Sequence, residues 1–450
     1  MHVDLSPSDT LRGQLQRGLG RGYLGALASR EISLLLECVL NDARWDRQIE
    51  ERAAYYANLA IALAAPVDPL ADAVCRWRPG DRDGNLAVDV LVEMARRGHS
   101  AARQALSDAA RGSAMVLVFE AVFGLDDAHL AAAVGLSDAQ VVALLNSLPS
   151  GRVKAAAELP TGVPWERWIH DVPTLRDVLG EHYAQPEVTL RQTWQVDRAM
   201  STEGLLRLAT ERWRTPKIAP VLLSRTDTAS RKALRRAALG SDPALWGLAC
   251  RTLGRQGDVA LIDAAREMIE GDVWDSGQSA RRASWSRYLQ PLPPELTLPF
   301  ARRWVGLTGP VAVVGRGLLA VGASASDLPL VTMSLERALD GGELYAACTM
   351  VEALTHIGEP GQSRLLERAF VDSPYSWIRW RVLDALQASA DPLGPRLARE
   401  ALWDCDCSAR EAGAAMALLD APLRERLAAM QVDEFEELSV REAASARLGG

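Results

Sequence analysis

Lysine is nearly missing from this chain. Lys154, Lys217 and Lys232 are the only three among 50 basic residues, and the other 47 are arginine. With alanine abundant, such a skew reflects a GC-rich coding sequence more than selection for phosphate-binding forks, so a bare count of arginines carries little weight. A basic balance is also missing. The formal charge is −8 and the pI near 5.5, which argues against a general nucleic-acid coat, since phosphate contacts need a net basic footprint. No apolar run approaches the ~20 residues that span a bilayer. The opening MHVDLSPSDTLRGQL has no signal-like apolar region, so no membrane partner and a cytoplasmic location are expected. The six cysteines are Cys38, Cys75, Cys250, Cys348, Cys405 and Cys407; scattered through helical patterns, they suit buried thiols rather than a disulfide framework. Strand-type alternation is almost absent.

Helical periodicity fills the space these absences leave. At 450 residues, 48% hydrophobic and 24% charged, the chain is globular in composition and long enough for two or three domains or one elongated array. Segments rich in Ala, Leu and Arg stop at Gly, Asp-Pro or Ser-Pro: Ser241-Asp242-Pro243, Gly358-Glu359-Pro360, Ser373-Pro374 and Asp391-Pro392. These read as antiparallel helix pairs. Leu354 and Leu386 are equivalent leucines 32 residues apart, and Leu253-Gly254-Arg255-Gln256-Gly257-Asp258 echoes Met94-Ala95-Arg96-Arg97-Gly98-His99 at an offset of 159, close to five such units. Ala409-Arg410-x-x-Gly413-x-x-Met416-Ala417 repeats the frame once more.

The frame, an Asp-Pro cap, a β-branched residue with Arg, then Ala and Ala-Leu at helical spacing and Ile-Gly, resembles HEAT-like repeats, especially the short bacterial variety of phycobilisome-lyase-type repeat proteins. Residues 241–270 and 344–418 carry it best, and 86–106 in part. The resemblance implies an all-α solenoid of stacked antiparallel helix pairs with a period of about 32, and it puts Arg379 in Trp377-Ile378-Arg379-Trp380-Arg381 at a structural arginine position. Small alanines let neighbouring helices approach, and stacking buries faces that one pair cannot bury alone. Two proline-dense stretches interrupt the pattern. They divide the chain into an N-terminal arm, 1–158, an irregular connection, 159–190, a middle basic arm, 191–290, a bend, 291–299, and a C-terminal arm, 300–450.

The middle arm has the clearest charge asymmetry. Between 191 and 236 eleven basic residues face four acidic ones. Arg191, Trp194, Arg198, Arg212, Trp213, Arg214, Lys217, Arg231, Lys232, Arg235 and Arg236 are the candidate residues for an anionic ligand or partner, since rings between guanidinium groups can stack bases while the cations hold phosphates. The plainer reading is that Arg235 and Arg236 offset the negative end of a helix. A secondary interaction patch is Trp45, Asp46, Arg47 and Glu50, where Trp45, Ile49, Ala53, Tyr56 and Ala60 form an apolar helical stripe and Asp46 and Glu50 an i,i+4 pair answered by Arg47 and Arg52.

A DNA-glycosylase branch of the HEAT-like proteins uses a Trp-Asp-x-x-Asp type element, of which Trp403-Asp404-Cys405-Asp406 is an imperfect echo. No catalytic residue is carried over. Cys405-x-Cys407 lacks a second ligand pair, His170-Asp171 lacks a nucleophile, and Gly315-Arg316-Gly317 lacks the strand and third glycine of a dinucleotide loop. No metal, cofactor or catalytic constellation is expected. The expected function is a non-catalytic scaffold binding a protein partner on its concave surface; the alternative is nucleic-acid binding or modification through 191–236. A third class, handling of a small chromophore, rests on the resemblance alone.

Overall fold

The computed structural model describes residues 5–47, 49–77, 85–111, 114, 117–118, 121, 195–211, 214–271 and 276–449. Among them every regular element is helical and no strand occurs. The first group is α1 (Leu11–Arg17), α2 (Gly20–Ser29), α3 (Ile32–Leu40), α4 (Ala53–Leu63), α5 (Asp68–Arg76), α6 (Asn85–Arg96) and α7 (Ser100–Ala110). The second is α8 (Thr202–Leu208), α9 (Thr215–Leu223), α10 (Thr228–Leu239), α11 (Pro243–Arg255), α12 (Ile262–Glu270), α13 (Ser276–Leu289), α14 (Pro294–Trp304), α15 (Gly309–Gly322), α16 (Leu328–Asp340) and α17 (Leu344–Ile357). The last is α18 (Ser363–Asp372), α19 (Ile378–Ala388), α20 (Gly394–Ala401), α21 (Cys407–Met416), α22 (Ala421–Val432) and α23 (Leu438–Gly449).

Neighbouring helices pack in series, and every second helix forms a row, as in α2–α4–α6, α11–α13–α15–α17 and α19–α21–α23. This is the all-α, solenoid-like stacking expected from the period. The punctuation acts as the dipeptides suggest: Asp242 accepts from the Ala244 N–H at 3.0 Å with Pro243 at the first helical position, and Gly358 ends α17 at φ +66°. Residues 159–190 lie outside the described residues.

Two of the boundaries differ from the reading of the sequence. The proline-rich bend shrinks to 291–293, because Pro294 opens α14 where a missing N–H costs nothing, and the interior Pro299 lies on the exposed side of that helix. The apolar stripe through Trp45 and Ile49 is not helical either; α4 starts only at Ala53. The helices also group otherwise than in three arms. One compact unit is Met1–Gln185 with Glu367–Gly450, and the other is Pro186–Leu366.

The carbonyl end of α1 explains why the last helices belong with the first. Gly18 ends α1 in the left-handed region at φ +69°, and the three carbonyls before it take side-chain donors: Leu15 from the Tyr56 hydroxyl at 2.8 Å, Gln16 from Arg52 Nη1, Arg17 from Arg379 Nη2 at 3.1 Å. Cations and donors suit the negative end of a helix. The Gly18 carbonyl takes the Cys405 N–H at 2.9 Å, and Cys405 joins the core built by α1–α7. Arg379, fully buried, also pairs with buried Asp404, its Nη2 donating to Oδ1 at 2.8 Å. Its bonds to a carbonyl and a turn are those of the structural arginine. Glu50, 2% exposed, accepts from the Trp45 and Asp46 N–H groups at 2.8 and 3.0 Å, from Arg52 at 2.7 Å and from the Ser376 N–H at 3.1 Å. It is a buried clip rather than half of an exposed acid pair.

In the other unit, arginine–aspartate clamps recur. Arg235 holds Asp258 through four contacts of 2.7–3.1 Å, and Arg302 holds Asp327 at 2.6 and 3.1 Å. With Arg379–Asp404, the spacing is 23, 25 and 25 residues, one helix pair along the chain. In each, the acid orders an adjacent turn: Asp258 caps the following Ala260 N–H, Asp404 takes the following Asp406 N–H, and Asp327 reaches back to the preceding Ser324 N–H.

Asp406 gives a pH test of this packing. It caps α21 through the Ala409 N–H at 2.9 Å, and burial first, then Asp404, push its carboxyl up to about 6 despite Arg379 and Arg410. The folded state therefore holds this proton longer than the unfolded state, and between pH ~4 and ~6 the group's contribution falls as pH rises. Asp406→Asn keeps the cap and removes the charge. The variant is expected to be about 2–3 kcal/mol more stable than wild type at pH 7 and equal to it near pH 4, by urea denaturation at both pH values.

Candidate anion-binding face

Many arginines in the second unit are engaged. Arg214 pairs with Glu211 at 3.0 Å, Arg225 donates to the Thr202 hydroxyl and the Arg198 carbonyl, Arg235 and Arg302 clamp aspartates, and Arg316 meets Glu343 at 3.2 Å. Arg281 lies 4.9 Å from the Trp246 ring and donates to the Leu239 carbonyl. Arg251, Arg255 and Arg287 are exposed, and no carboxylate among the described residues pairs with them. Arg198, Arg207, Arg236, Arg337 and Arg364 are likewise exposed and unpaired, but Arg251, Arg255 and Arg287 lie together on α11 and α13, two packed helices without a carboxylate.

Their placement follows from helix periodicity and from glycine. Gly247, Arg251 and Arg255 lie at i, i+4 and i+8 on α11, and Ala283 and Arg287 at i and i+4 on α13. A Cβ at Gly254 would stand 2.3 Å from the Tyr288 carbonyl, so glycine there lets α11 and α13 nearly touch. A Cβ at Gly247 would lie 3.6 Å from Arg287 Nη1, so this guanidinium reaches across onto α11 one turn from Arg251. On the far side of α13, Gln290 Nε2 stands 3.2 Å from where a Cβ of Gly317 on α15 would be. There α15 adds exposed Val313 and Val321, 59% and 48% accessible. The three helices carry no Asp or Glu, and from 276 to 326 the chain has a single carboxylate, Glu295. The result is a strip of small and apolar side chains crossed by three cations.

Of the candidates read from the sequence, Arg191, Trp194, Arg212 and Trp213 lie outside the described residues. Arg198 is exposed, Lys217 and Arg231 half-buried, and Lys232 and Arg236 share the exposed side of α10, Arg236 in its last turn. Arg235 is tied to Asp258, and Arg214 to Glu211. In the first unit Trp45, 38% exposed, packs at 5.1 Å on Tyr375, which meets Trp377 at 6.2 Å, while Arg381 lies 4.1 Å from the Trp380 ring; Arg47 pairs with Asp42. Trp285, Tyr288 and Trp304 are core residues. Among the described residues no group of His, Cys, Asp and Glu could hold a metal ion, and no helix is long and apolar enough to cross a membrane. Arg251, Arg255 and Arg287 are not legible as a cluster in the sequence; only Arg287 falls within the carboxylate-free run from 276 to 294.

No family model matches the chain, and no curated protein and no solved structure matches it.

Proposed function

We propose that this chain is a non-catalytic HEAT-like scaffold that holds a protein partner by an acidic segment laid on α11, α13 and α15. The observation that supports it is the trio Arg251, Arg255 and Arg287, exposed and, among the described residues, without counter-ions, on helices free of carboxylates, in a chain of net charge −8. Guanidinium groups beside small residues accept a carboxylate side chain bidentately and leave room for a peptide backbone. Nucleic acid is less well served, because Trp246, Trp285 and Trp304 are buried and offer no ring for a base.

The test is fluorescence anisotropy with a labelled glutamate-rich peptide and a labelled oligothymidine of matched charge. The peptide is expected to bind at low salt and to release as salt rises. Charge reversal of Arg251, Arg255 and Arg287 together abolishes that binding, whereas reversal of Lys232 and Arg236 leaves most of it. Absence of peptide binding at low salt overturns the reading, and a preference for oligothymidine replaces it with the nucleic-acid one.

A further inference from the structure

In the first unit, α2, α4 and the segments around α21 and α22 line a half-open pocket of about 260 Å³. This is below the usual size of a drug-sized pocket, roughly 300–1,000 Å³, and suits a ligand of few atoms. Its walls are aromatic: Tyr55, against whose ring Tyr23 packs edge-on at 5.6 Å, with Trp403 and Phe435.

The charges around it divide into those that are neutralised and those that are not. Arg410 and Glu436 form a two-pronged pair at 3.0 and 2.6 Å, Asp404 belongs to Arg379, and Arg97 to Glu93 while lying 5.1 Å from the Phe435 ring. Arg426 has no such partner. Its Nε and Nη2 both donate to the Leu402 carbonyl, at 3.2 and 2.8 Å, and its guanidinium carbon stands 5.4 Å from the Trp403 ring. Its Nη1 is left over. Two further polar groups on the pocket lining, the Tyr23 hydroxyl and the Asn58 amide, make no hydrogen bond among the described residues. A guanidinium without a carboxylate, a hydroxyl and an amide offer donors to a single acceptor-rich group. Burial acts on Arg426 in the same sense: desolvation, its largest influence, lowers its pKa against the smaller opposing pull of Tyr23, Glu436 and Asp433, none of them hydrogen-bonded to it or ion-paired with it, and an incoming anion would relieve that cost.

Asp433 narrows the choice of ligand. It is the one carboxylate of the lining without an ion-pair partner, although its Oδ1 takes the Phe435 N–H at 3.0 Å. One unpaired cation beside one unpaired acid disfavours polyanions. We infer that this pocket binds a small monocarboxylate with a flat body, its carboxylate on Arg426, Tyr23 and Asn58 and its body between Trp403 and Phe435.

The experiment is ligand-observed saturation-transfer NMR on the full chain with benzoate, acetate and ATP as probes, and benzoate affinity measured by titration. Benzoate is expected to bind, with acetate weaker and ATP silent. Arg426→Gln is expected to weaken benzoate about tenfold or more, the scale of a charged hydrogen bond. Since Arg426 also holds the Leu402 carbonyl, Asn58→Leu provides the second variant: its side chain makes no bond to lose, and the added bulk and lost donor are expected to weaken benzoate with the melting temperature unchanged. No benzoate signal at millimolar concentration, ATP binding at the same site, or benzoate affinity in both variants equal to that of wild type would overturn the inference.

Discussion

Replacing Arg379 by alanine is expected to destabilise the first unit by about 3–5 kcal/mol. Three links lead to that figure. Arg379 is fully buried, its partner Asp404 is 2% exposed, and the guanidinium also carries the last free carbonyl of α1. Truncation leaves a carboxylate in the interior with the Asp406 N–H and little else to answer it. Removing both charges should cost far less, because a buried ion pair yields little net energy beyond its own desolvation. Arg379→Met with Asp404→Asn, which keeps the acceptor for Asp406, is expected to recover most of the loss. Urea denaturation of the single and double variants decides it; a single variant within 1 kcal/mol of wild type would show that the buried pair is not what holds α19 to α1.

The second large effect belongs to Gly20, which carries no charge at all. A Cβ at this position would stand 1.9 Å from the Glu400 carbonyl oxygen, a backbone atom that cannot rotate away. Gly20→Ala must therefore push α20 off the start of α2, where Arg21 and Glu400 are joined at 2.7 and 2.6 Å. A loss of about 3 kcal/mol is expected, the upper range for overpacking. Gly25→Ala in the same helix is the contrast. There a Cβ meets only the end of the Leu11 side chain, at 3.0 Å, and helix propensity gains up to about 1 kcal/mol. Thermal melts of the two variants are expected to diverge, Gly20→Ala melting well below wild type and Gly25→Ala close to it. Coincident melts would mean that the two stretches of the first unit do not pack as closely as described.

What could be read in the sequence was what depends on neighbours along the chain. Helices, their Asp-Pro starts, the period and the structural role of Arg379 are local or nearly so, and the 23–25-residue clamps lie within one helix pair. The grouping of residues 367–449 with 5–121 was not legible, because it depends on contacts such as Cys405 to Gly18 that span most of the chain. Glu50 was misjudged for the same reason: its neighbours suggested an exposed helix face, while Ser376, 326 residues away, buries it. Pro299 misled in the opposite direction, since only its exposure reveals that a proline inside α14 is tolerable. The excess of arginine between 191 and 236 does not locate the candidate face, because a count of cations says nothing of which are tied to acids. The absence of carboxylates on α11, α13 and α15 was the better signal.

The proposed function is tested most directly by locating the bound segment. A glutamate-rich peptide carrying a photoactivatable benzophenone would be crosslinked to the full chain at low salt and the adducts placed by mass spectrometry. Adducts within 243–257, 276–290 and 309–322, lost when Arg251, Arg255 and Arg287 are reversed to glutamate, are the predicted result. Adducts on α10, in the first unit, or unchanged in the reversed variant would contradict it.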